Sequence, residues 1–243
     1  MTRRRLDAEL VRRGLVSSRE QGRAAIEGGR VSISGVTATK AATQVDDAAA
    51  IELVAEPGSD FVSRGAHKLI GALDAFGLDV RDANALDAGA STGGFTQVLL
   101  QRGARHVIAV DVGYGQLAWS LRSDDRVTVL ERTTVRHLDA SRDELPFPPD
   151  LVVADLSFIS LTAVLPALVT VAAPTANLVL MVKPQFEVGK ERVGSGVVTS
   201  PDLRREAVAR VVTAAGAEKL AIFGVAASPL PGPKGNVEYF LWM

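Results

Sequence analysis

The chain has 243 residues, 47% of them hydrophobic and 23% charged, enough to bury one large core or a small and a medium one. It holds no cysteine, which excludes disulfides, thiolate catalysis and cysteine–zinc sites; its three histidines, His67, His106 and His137, show no ligand spacing, so no metal is expected. The net charge of −1 hides an uneven split, because residues 1–40 carry nine Lys and Arg against four acids, a net +5 that leaves −6 for the remainder. A basic head on a mildly acidic body predicts an anionic partner for the head, the alternative being a solvated helical surface.

"MTRRRLDAELVRR" is charged throughout and does not read as a secretory signal. Leu6, Leu10 and Val11 fall at helical spacing, with Gly14 as a stop. Ser17 with Glu20 three residues on predicts a capping box for a second helix through Ile26, ended by Gly28–Gly29. "RVSISG" alternates as a strand into a turn at Gly35, and "AAIELV" reads as a closing strand. Two short helices and a small hairpin make a module of about 55 residues, marginal alone. "EPGSD" and the following "FVSRGAHKL" read as a connector.

From Asn84 the pattern becomes strands alternating with helices. "NALDAGA", "HVIAVDV", "VTVLE", "DLVVADLS" and "NLVLMVKP" are apolar runs of strand length, nearly continuous as buried parallel strands are. "GFTQVLLQRG", "GQLAWSLRS" and "SLTAVLPALVTVAA" read as helices between them, and "SPDLRREAVARVVTAAG" as a further helix from Ser200–Pro201 to Gly216. "KLAIFGVAAS" and "VEYFLWM" are strands joined by "PLPGPKGN", too short for a crossover helix, so the last strand must run antiparallel. The fold class is α/β, an open doubly wound sheet with an antiparallel last strand, preceded by a small α+β unit. No apolar run approaches the roughly 18–20 residues of a membrane helix, and a cytoplasmic protein is expected.

"LDAGASTGGF", Leu86 to Phe95, ends one strand and opens a helix, so its glycines let backbone approach a ligand at the strand's carboxyl edge. Gly89 and Gly93–Gly94 do not fit the dinucleotide fingerprint, and the loop lacks the phosphate-binding lysine, which disfavours ATP. Asp111 closes the next strand, where an acid can accept two hydrogen bonds from a ribose diol or simply cap a loop. Together these resemble the S-adenosylmethionine site of a Rossmann-type methyltransferase. Polar residues at strand carboxyl ends face one crevice. Asp155 and Lys183 end strands, Glu238 begins the antiparallel one on the same edge, and Lys68 directly precedes helix "LIGALDAFG". Separately they read as a cap, a structural ion pair and a solvated charge; jointly they suggest a catalytic set.

That set with "LDAGASTGGF" resembles the FtsJ-like ribose 2′-O-methyltransferases. "VSRGAHKL", "DVGYGQLAWSLR", "VADLSFISL", "VKPQFEVGK" and "SPLPGPKGNVEYFLW" resemble the haemolysin A (TlyA) family over nearly the whole chain. The resemblance implies a ribosomal-protein-S-four-like RNA-binding domain over residues 1–55, a linker over 56–66 and an FtsJ-like domain over 67–243. It implies Lys68, Asp155, Lys183 and Glu238 as catalytic residues. Around S-adenosylmethionine it places Asp87, Gly89, Ser91, Thr92, Gly93, Gly94, Phe95, Asp111, Thr134 and Asp155. The implied substrate is a cytidine 2′-hydroxyl in 16S and/or 23S ribosomal RNA, met by Arg3, Arg4, Arg5, Arg12, Arg13, Arg19, Arg23 and Arg64. A monomer acting on ribosomal RNA or subunits, without metal or membrane, is expected. Two departures stand out: "ERTT" puts Thr134 where the family has asparagine, and "GKERVGSGVVTS" is a glycine shorter than usual and lacks a basic–acidic pair.

A ribose hydroxyl needs a base, and a lysine near its ordinary value of about 10.4 is charged. The expected base is Lys183, oriented by Asp155, with a second cation and partial burial freeing its amine. Lys68 and Glu238 would tune the charge and hold the ribose. With only 5% aromatics, extensive base stacking is not expected. The rival readings are a non-catalytic RNA-binding or assembly factor, a base methylase and a membrane-active haemolysin.

Overall fold

The computed structural model describes residues 3–13, 15–16, 18–46, 49–53, 61–138, 145–194, 196–232 and 234–243, with the side chain of Lys190 excepted. The first unit begins with strand β1 (Arg4–Arg5) and helices α1 (Leu6–Arg12) and α2 (Arg19–Glu27). Gly14 and Ser17, read as a stop and a cap, lie outside the described residues; the cap of α2 is Ser18, whose Oγ accepts from Gln21 N at 3.1 Å. Strands β2 (Val31–Ile33) and β3 (Val36–Thr37) form the expected hairpin. Its turn residues Ser34 and Gly35 both have positive φ, 50° and 80°, the twist that suits a two-residue connection. β4 (Gln44–Val45) pairs with β1, and β5 (Ile51–Leu53) closes on β2. Leu6, Leu10, Ile26 and Val31 are the centre of this unit's core.

The second unit is a seven-stranded sheet. Its strands are β6 (Asn84–Ala88), β7 (His106–Val110), β8 (Val127–Leu130), β9 (Leu151–Ala154), β10 (Asn177–Val182), β11 (Gly224–Ala227) and β12 (Tyr239–Trp242). The spatial order is β11-β12-β10-β9-β6-β7-β8, parallel from β10 to β8. β12 runs antiparallel to both β10 and β11, as the short joint requires. Successive strand residues face opposite layers, so Val153 and Val179 enter one core cluster while Val152 and Leu180 enter the other. Helices α3 (Gly65–Phe76) and α4 (Gly94–Gln101) supply the first layer. Helices α6 (Leu165–Val171) and α9 (Pro201–Ala217) supply the second.

Several elements differ from the sequence reading. The helix expected over "GQLAWSLRS" shrinks to α5 (Trp119–Arg122). The segment leading into it is held by acids instead, Gly113 N by Asp111 Oδ1 at 2.6 Å and Gly115 N, at the start of the expected helix, by Glu131 Oε1 at 2.8 Å. Pro166 sits in the first turn of α6, and residues ahead of it form a separate 3-10 turn over Leu161–Ala163. α9 runs through Gly216 and ends where Lys219 turns left-handed at φ 62°. Two short helices, α7 (Pro184–Glu187) and α8 (Lys190–Val193), follow β10. The described part of the expected 56–66 linker belongs to the second unit's packing: Phe61 and Val62 lie on its core, and Val62 N donates to Gln97 Oε1 at 2.7 Å.

Candidate active site

The glycine loop after β6 is held from both sides. Gly89 N and Ala90 N both donate to Val110 O, at 2.8 and 3.1 Å, which draws the loop onto the end of β7. Ser91 adopts φ 48°, and its N–H donates to Asp111 Oδ2 at 2.9 Å. Asp111 is half-buried with each oxygen holding one backbone N–H, and each retains acceptor capacity toward solvent. Gly89 has to be glycine twice over, since its φ is 87° and a Cβ there would lie 2.9 Å from Asp155 O. Gly94 gives room to the segment before α3: a Cβ would meet Ser63 Oγ and Ala66 N. Phe95 is buried in the core behind the loop, beside Phe240.

Asp87 stands apart from the cofactor residues with which it was grouped. It is wholly buried, and its Oδ2 accepts from Thr96 N at 2.9 Å and Thr96 Oγ1 at 2.7 Å. It therefore anchors the start of α4 from beneath, where a helix has free N–H groups. Burial pushes its carboxyl up to about 7, against the pull of the Thr96 hydrogen bonds.

At the carboxyl edge of the sheet the four expected residues form two lysine–carboxylate pairs. Lys68 lies inside the first turns of α3, not ahead of it as the sequence suggested, because the helix starts at Gly65. Its Nζ donates to Glu238 Oε2 at 2.6 Å, with side-chain exposures of 9% and 1%. Glu238 Oε1 has no hydrogen-bond partner among the described residues and rests against Gly232, where a Cβ would come within 2.5 Å. Lys183 Nζ is 2.6 Å from Asp155 Oδ1 and donates to Ser157 Oγ at 2.9 Å. The Asp155 contact lacks hydrogen-bond alignment, so Ser157 fixes the direction of the amine. The two pairs are joined by register: Val182 faces Tyr239 across β10 and β12, so Lys183 and Glu238 stand on the next rung.

Ser157 and its neighbour were not singled out from the sequence. Phe158 is 92% exposed at φ 65°, a conformation rare for a bulky residue, with its ring 5.5 Å from that of Phe186. Tyr114 is 69% exposed and lies under the Arg132 guanidinium at 4.2 Å. The aromatics are too few for a stacking sheet face, but these are displayed on segments following β7 and β9. In an apolar sequence context a phenylalanine reads as core, and only its backbone conformation turns it outward. Thr134 precedes a 3-10 turn over Val135–His137, and its neighbour Thr133 N donates to Asp111 O at 3.0 Å.

The arginines of the first unit divide. Asp7 and Glu9 are fully buried on α1. Arg5 and Arg19 pair with Asp7, and Arg12 and Arg13 with Glu9. The Arg5 hydrogen bond chiefly holds the Asp7 carboxyl down at about 2, and that from Arg12 does the same for Glu9. Arg13 also donates to Ala49 O at 2.6 Å and Asp46 O at 3.1 Å, so it fastens the unit together. Arg3 and Arg23 are exposed without an ion pair among the described residues, and Arg64 is exposed at the cap of α3; Arg4 is half-buried. Among the described residues no acid–histidine cluster fits a metal, and no helix is long and apolar enough to cross a membrane.

The sheet order, the glycine loop after the first strand and the acid ending the second define a Rossmann-type methyltransferase fold. The chain belongs to the FtsJ-like methyltransferase family, whose model matches residues 61–243, and carries an S4 domain matched over residues 4–51. It is 58% identical to 16S/23S rRNA (cytidine-2′-O)-methyltransferase TlyA of Mycobacterium tuberculosis, over 99% of this chain and 90% of that protein. It is 41% identical to YqxC of Bacillus subtilis, over 98% of this chain and 84% of that one. A solved structure from Streptococcus thermophilus that carries a hemolysin name superposes with a TM-score of 0.77 at 37% identity, over 100% of this chain and 88% of that one.

Proposed function

We propose that this chain methylates a ribose 2′-hydroxyl, that of cytidine in 16S and/or 23S ribosomal RNA, using S-adenosylmethionine. The observation that carries the reading is the meeting of the Lys68–Glu238 and Lys183–Asp155 pairs on one sheet edge beside the glycine loop. Two lysines around one crevice suit a hydroxyl that must lose a proton, and would be misplaced in a pocket built to read a base. The name of the 58% identical relative supports the same substrate.

The donor set fits the cofactor. Asp111 keeps free acceptor capacity for a diol, and the loop backbone at Gly89, Ser91, Thr92, Gly93 and Gly94, with Thr134 near Asp111, would line the rest. Phe95 and Asp87 back the loop, and Asp155 closes it from the neighbouring strand. S-adenosylmethionine supplies an electrophilic methyl group when bound. Lys183 takes the hydroxyl proton, its amine aimed by Ser157 beside the Asp155 carboxylate, a contribution of about 10²–10⁴-fold. Lys68, neutralised by Glu238, orients the ribose. Phe158, exposed beside Ser157, offers a face for the base of a nucleotide turned out of its helix. The unit over residues 1–55 brings Arg3 and Arg23, with Arg64 from the second unit, to RNA phosphates; the half-buried Arg4 and the ion-paired Arg5, Arg12 and Arg19 contribute less, and Arg13 holds the unit's structure.

The test is to map 2′-O-methyl positions in ribosomal RNA from cells with and without the protein, and with Lys183→Ala. The expected result is loss of specific cytidine marks in both the deletion and the variant, with cofactor binding by the purified variant retained. An unchanged map on deletion would overturn the reading. Marks retained by Lys183→Ala alone would remove Lys183 as the base.

A further inference from the structure

Glu187 has no part in the chemistry above, yet it is 2% exposed on α7, four residues after Lys183. Burial raises its pKa above the ordinary carboxylate value, while the Ser160 and Leu161 hydrogen bonds and the charge of Arg210 pull the other way. Among the described residues no cation hydrogen bonds to the carboxylate; Arg210 Nη1 donates instead to the Glu187 main-chain oxygen at 3.0 Å. A buried carboxylate without a hydrogen-bonded cation is costly, so its place needs a physical reason.

That reason lies in what it fastens. Oε2 accepts from Ser160 Oγ at 2.6 Å and Oε1 from Leu161 N at 2.7 Å. Ser160 Oγ in turn caps the Leu161–Ala163 turn through Thr162 N at 3.2 Å. One carboxylate thus ties the turn after β9 to the segment after β10. The same turn contains Phe158 in its left-handed conformation, with a side chain 92% exposed and so without burial to offset the strain. Such a conformation persists only when the surroundings over-determine it. It also contains Ser157, whose Oγ meets Lys183 Nζ at 2.9 Å.

We infer that Glu187 is a positioning residue whose buried carboxylate locks the 157–161 turn, so that Ser157 aims the Lys183 amine and Phe158 stays exposed beside it. The inference rests on the ribose-methylation reading, in which Lys183 is the base. Once Glu187 is removed, the turn relaxes toward negative φ, Ser157 leaves the amine, and turnover falls while the glycine loop is undisturbed.

The experiment uses the full chain with Glu187→Ala, Glu187→Gln and Ser160→Ala. It reads kcat and KM on ribosomal RNA, S-adenosylmethionine affinity by calorimetry, and hydrogen exchange at residues 157–161. Misplacing a catalytic group by about an ångström costs up to about 10²-fold, so Glu187→Ala should lower kcat by roughly 10- to 100-fold with cofactor affinity held within about twofold. Glu187→Gln should recover kcat to within about fivefold of the parent, because its carbonyl still accepts from Leu161 N and its amide donates to Ser160 Oγ. Ser160→Ala, which removes one tie and leaves the carboxylate, should fall between. Exchange over 157–161 should rise in Glu187→Ala and return in Glu187→Gln. Parental kcat in a folded Glu187→Ala or Ser160→Ala overturns the inference. So does a loss of kcat matched by an equal loss of cofactor affinity with no rescue by glutamine, which is the signature of general destabilisation. If Glu187→Ala does not fold, Ser160→Ala and Glu187→Gln decide the matter by the same criteria. A parent protein that transfers no methyl group to ribosomal RNA sinks the methylation reading instead, and unchanged exchange over 157–161 then sinks the lock as well.

Discussion

Lys68 and Glu238, 170 residues apart in the chain, meet at 2.6 Å in a nearly closed contact between α3 and the start of β12. The contact fastens a helix outside the sheet to β12, a strand that is antiparallel to both its neighbours. Glu238 stands on the rung next to Lys183, so this pair and the Lys183–Asp155 pair share one stretch of edge. Each lysine is paired with a carboxylate, and each side chain keeps 9% of its surface exposed.

Removing one member of the Lys68–Glu238 pair leaves a buried charge without its partner, which typically costs about 3–5 kcal/mol. Lys68→Met and Glu238→Leu should each destabilise the protein on that scale in urea unfolding. The double variant should be less destabilised than either single one, since an apolar pair of similar volume replaces the ion pair. Additive losses would mean that the two side chains are not coupled in solution.

Gly71 lies one turn beyond Lys68 in α3, and a Cβ there would stand 2.6 Å from Pro229 Cγ and 2.9 Å from Pro229 Cδ. Alanine is the better helix former by about 1 kcal/mol. The prolyl ring cannot rotate away, however, and overpacking costs about 1–3 kcal/mol. Gly71→Ala is therefore expected to lower the melting temperature and, by shifting α3, to slow methyl transfer. A variant at least as stable as the parent with full turnover would show that α3 yields without moving Lys68.

Arg23 and Arg13 should behave oppositely. Arg23 is exposed without an ion pair among the described residues, whereas Arg13 holds Glu9, Ala49 O and Asp46 O. Arg23→Ala should weaken RNA binding and reduce the salt slope by about 1 while leaving the unfolding midpoint unchanged. Arg13→Ala should chiefly increase hydrogen exchange in α1 and α2. Equal effects of both on the salt slope would contradict the division.

Asp87 predicts a pH dependence of stability. Its folded carboxyl titrates at about 7 against an ordinary value of 3.8, so between these the folded state holds a proton that the unfolded chain has lost. Stability from this group is present below the ordinary value and is lost as pH rises toward the folded one. Asp87→Asn cannot titrate and still offers Thr96 an acceptor, so its stability relative to the parent should climb from about pH 4 to about pH 7 and then level off. Denaturant unfolding of both proteins across that range measures the difference; parallel curves would mean that Asp87 is ionised throughout.

What the sequence determined by itself is local. Apolar runs of strand length, the loop between Leu86 and Phe95 and the short joint before β12 rest on periodicity and turn chemistry over a few residues, and they were enough for the sheet and its last strand. The motif resemblance likewise pointed to Lys68, Asp155, Lys183 and Glu238, because these lie in long matching stretches. Tertiary structure decided the partners. That Lys68 pairs with Glu238 and Lys183 bonds to Ser157 depends on strand register and on where α3 begins, which no window of sequence contains. The arginine-rich head looked like free positive charge until packing set Asp7 and Glu9 inside it and engaged Arg5, Arg12, Arg13 and Arg19. Phe158 and Asp87 were settled the same way: an apolar ring that the sequence did not single out stands exposed on a left-handed backbone, and an acid is enclosed beneath a helix start. Local preferences select elements, whereas exposure and ion pairing are settled only when distant elements pack, since both depend on how much water remains around each group.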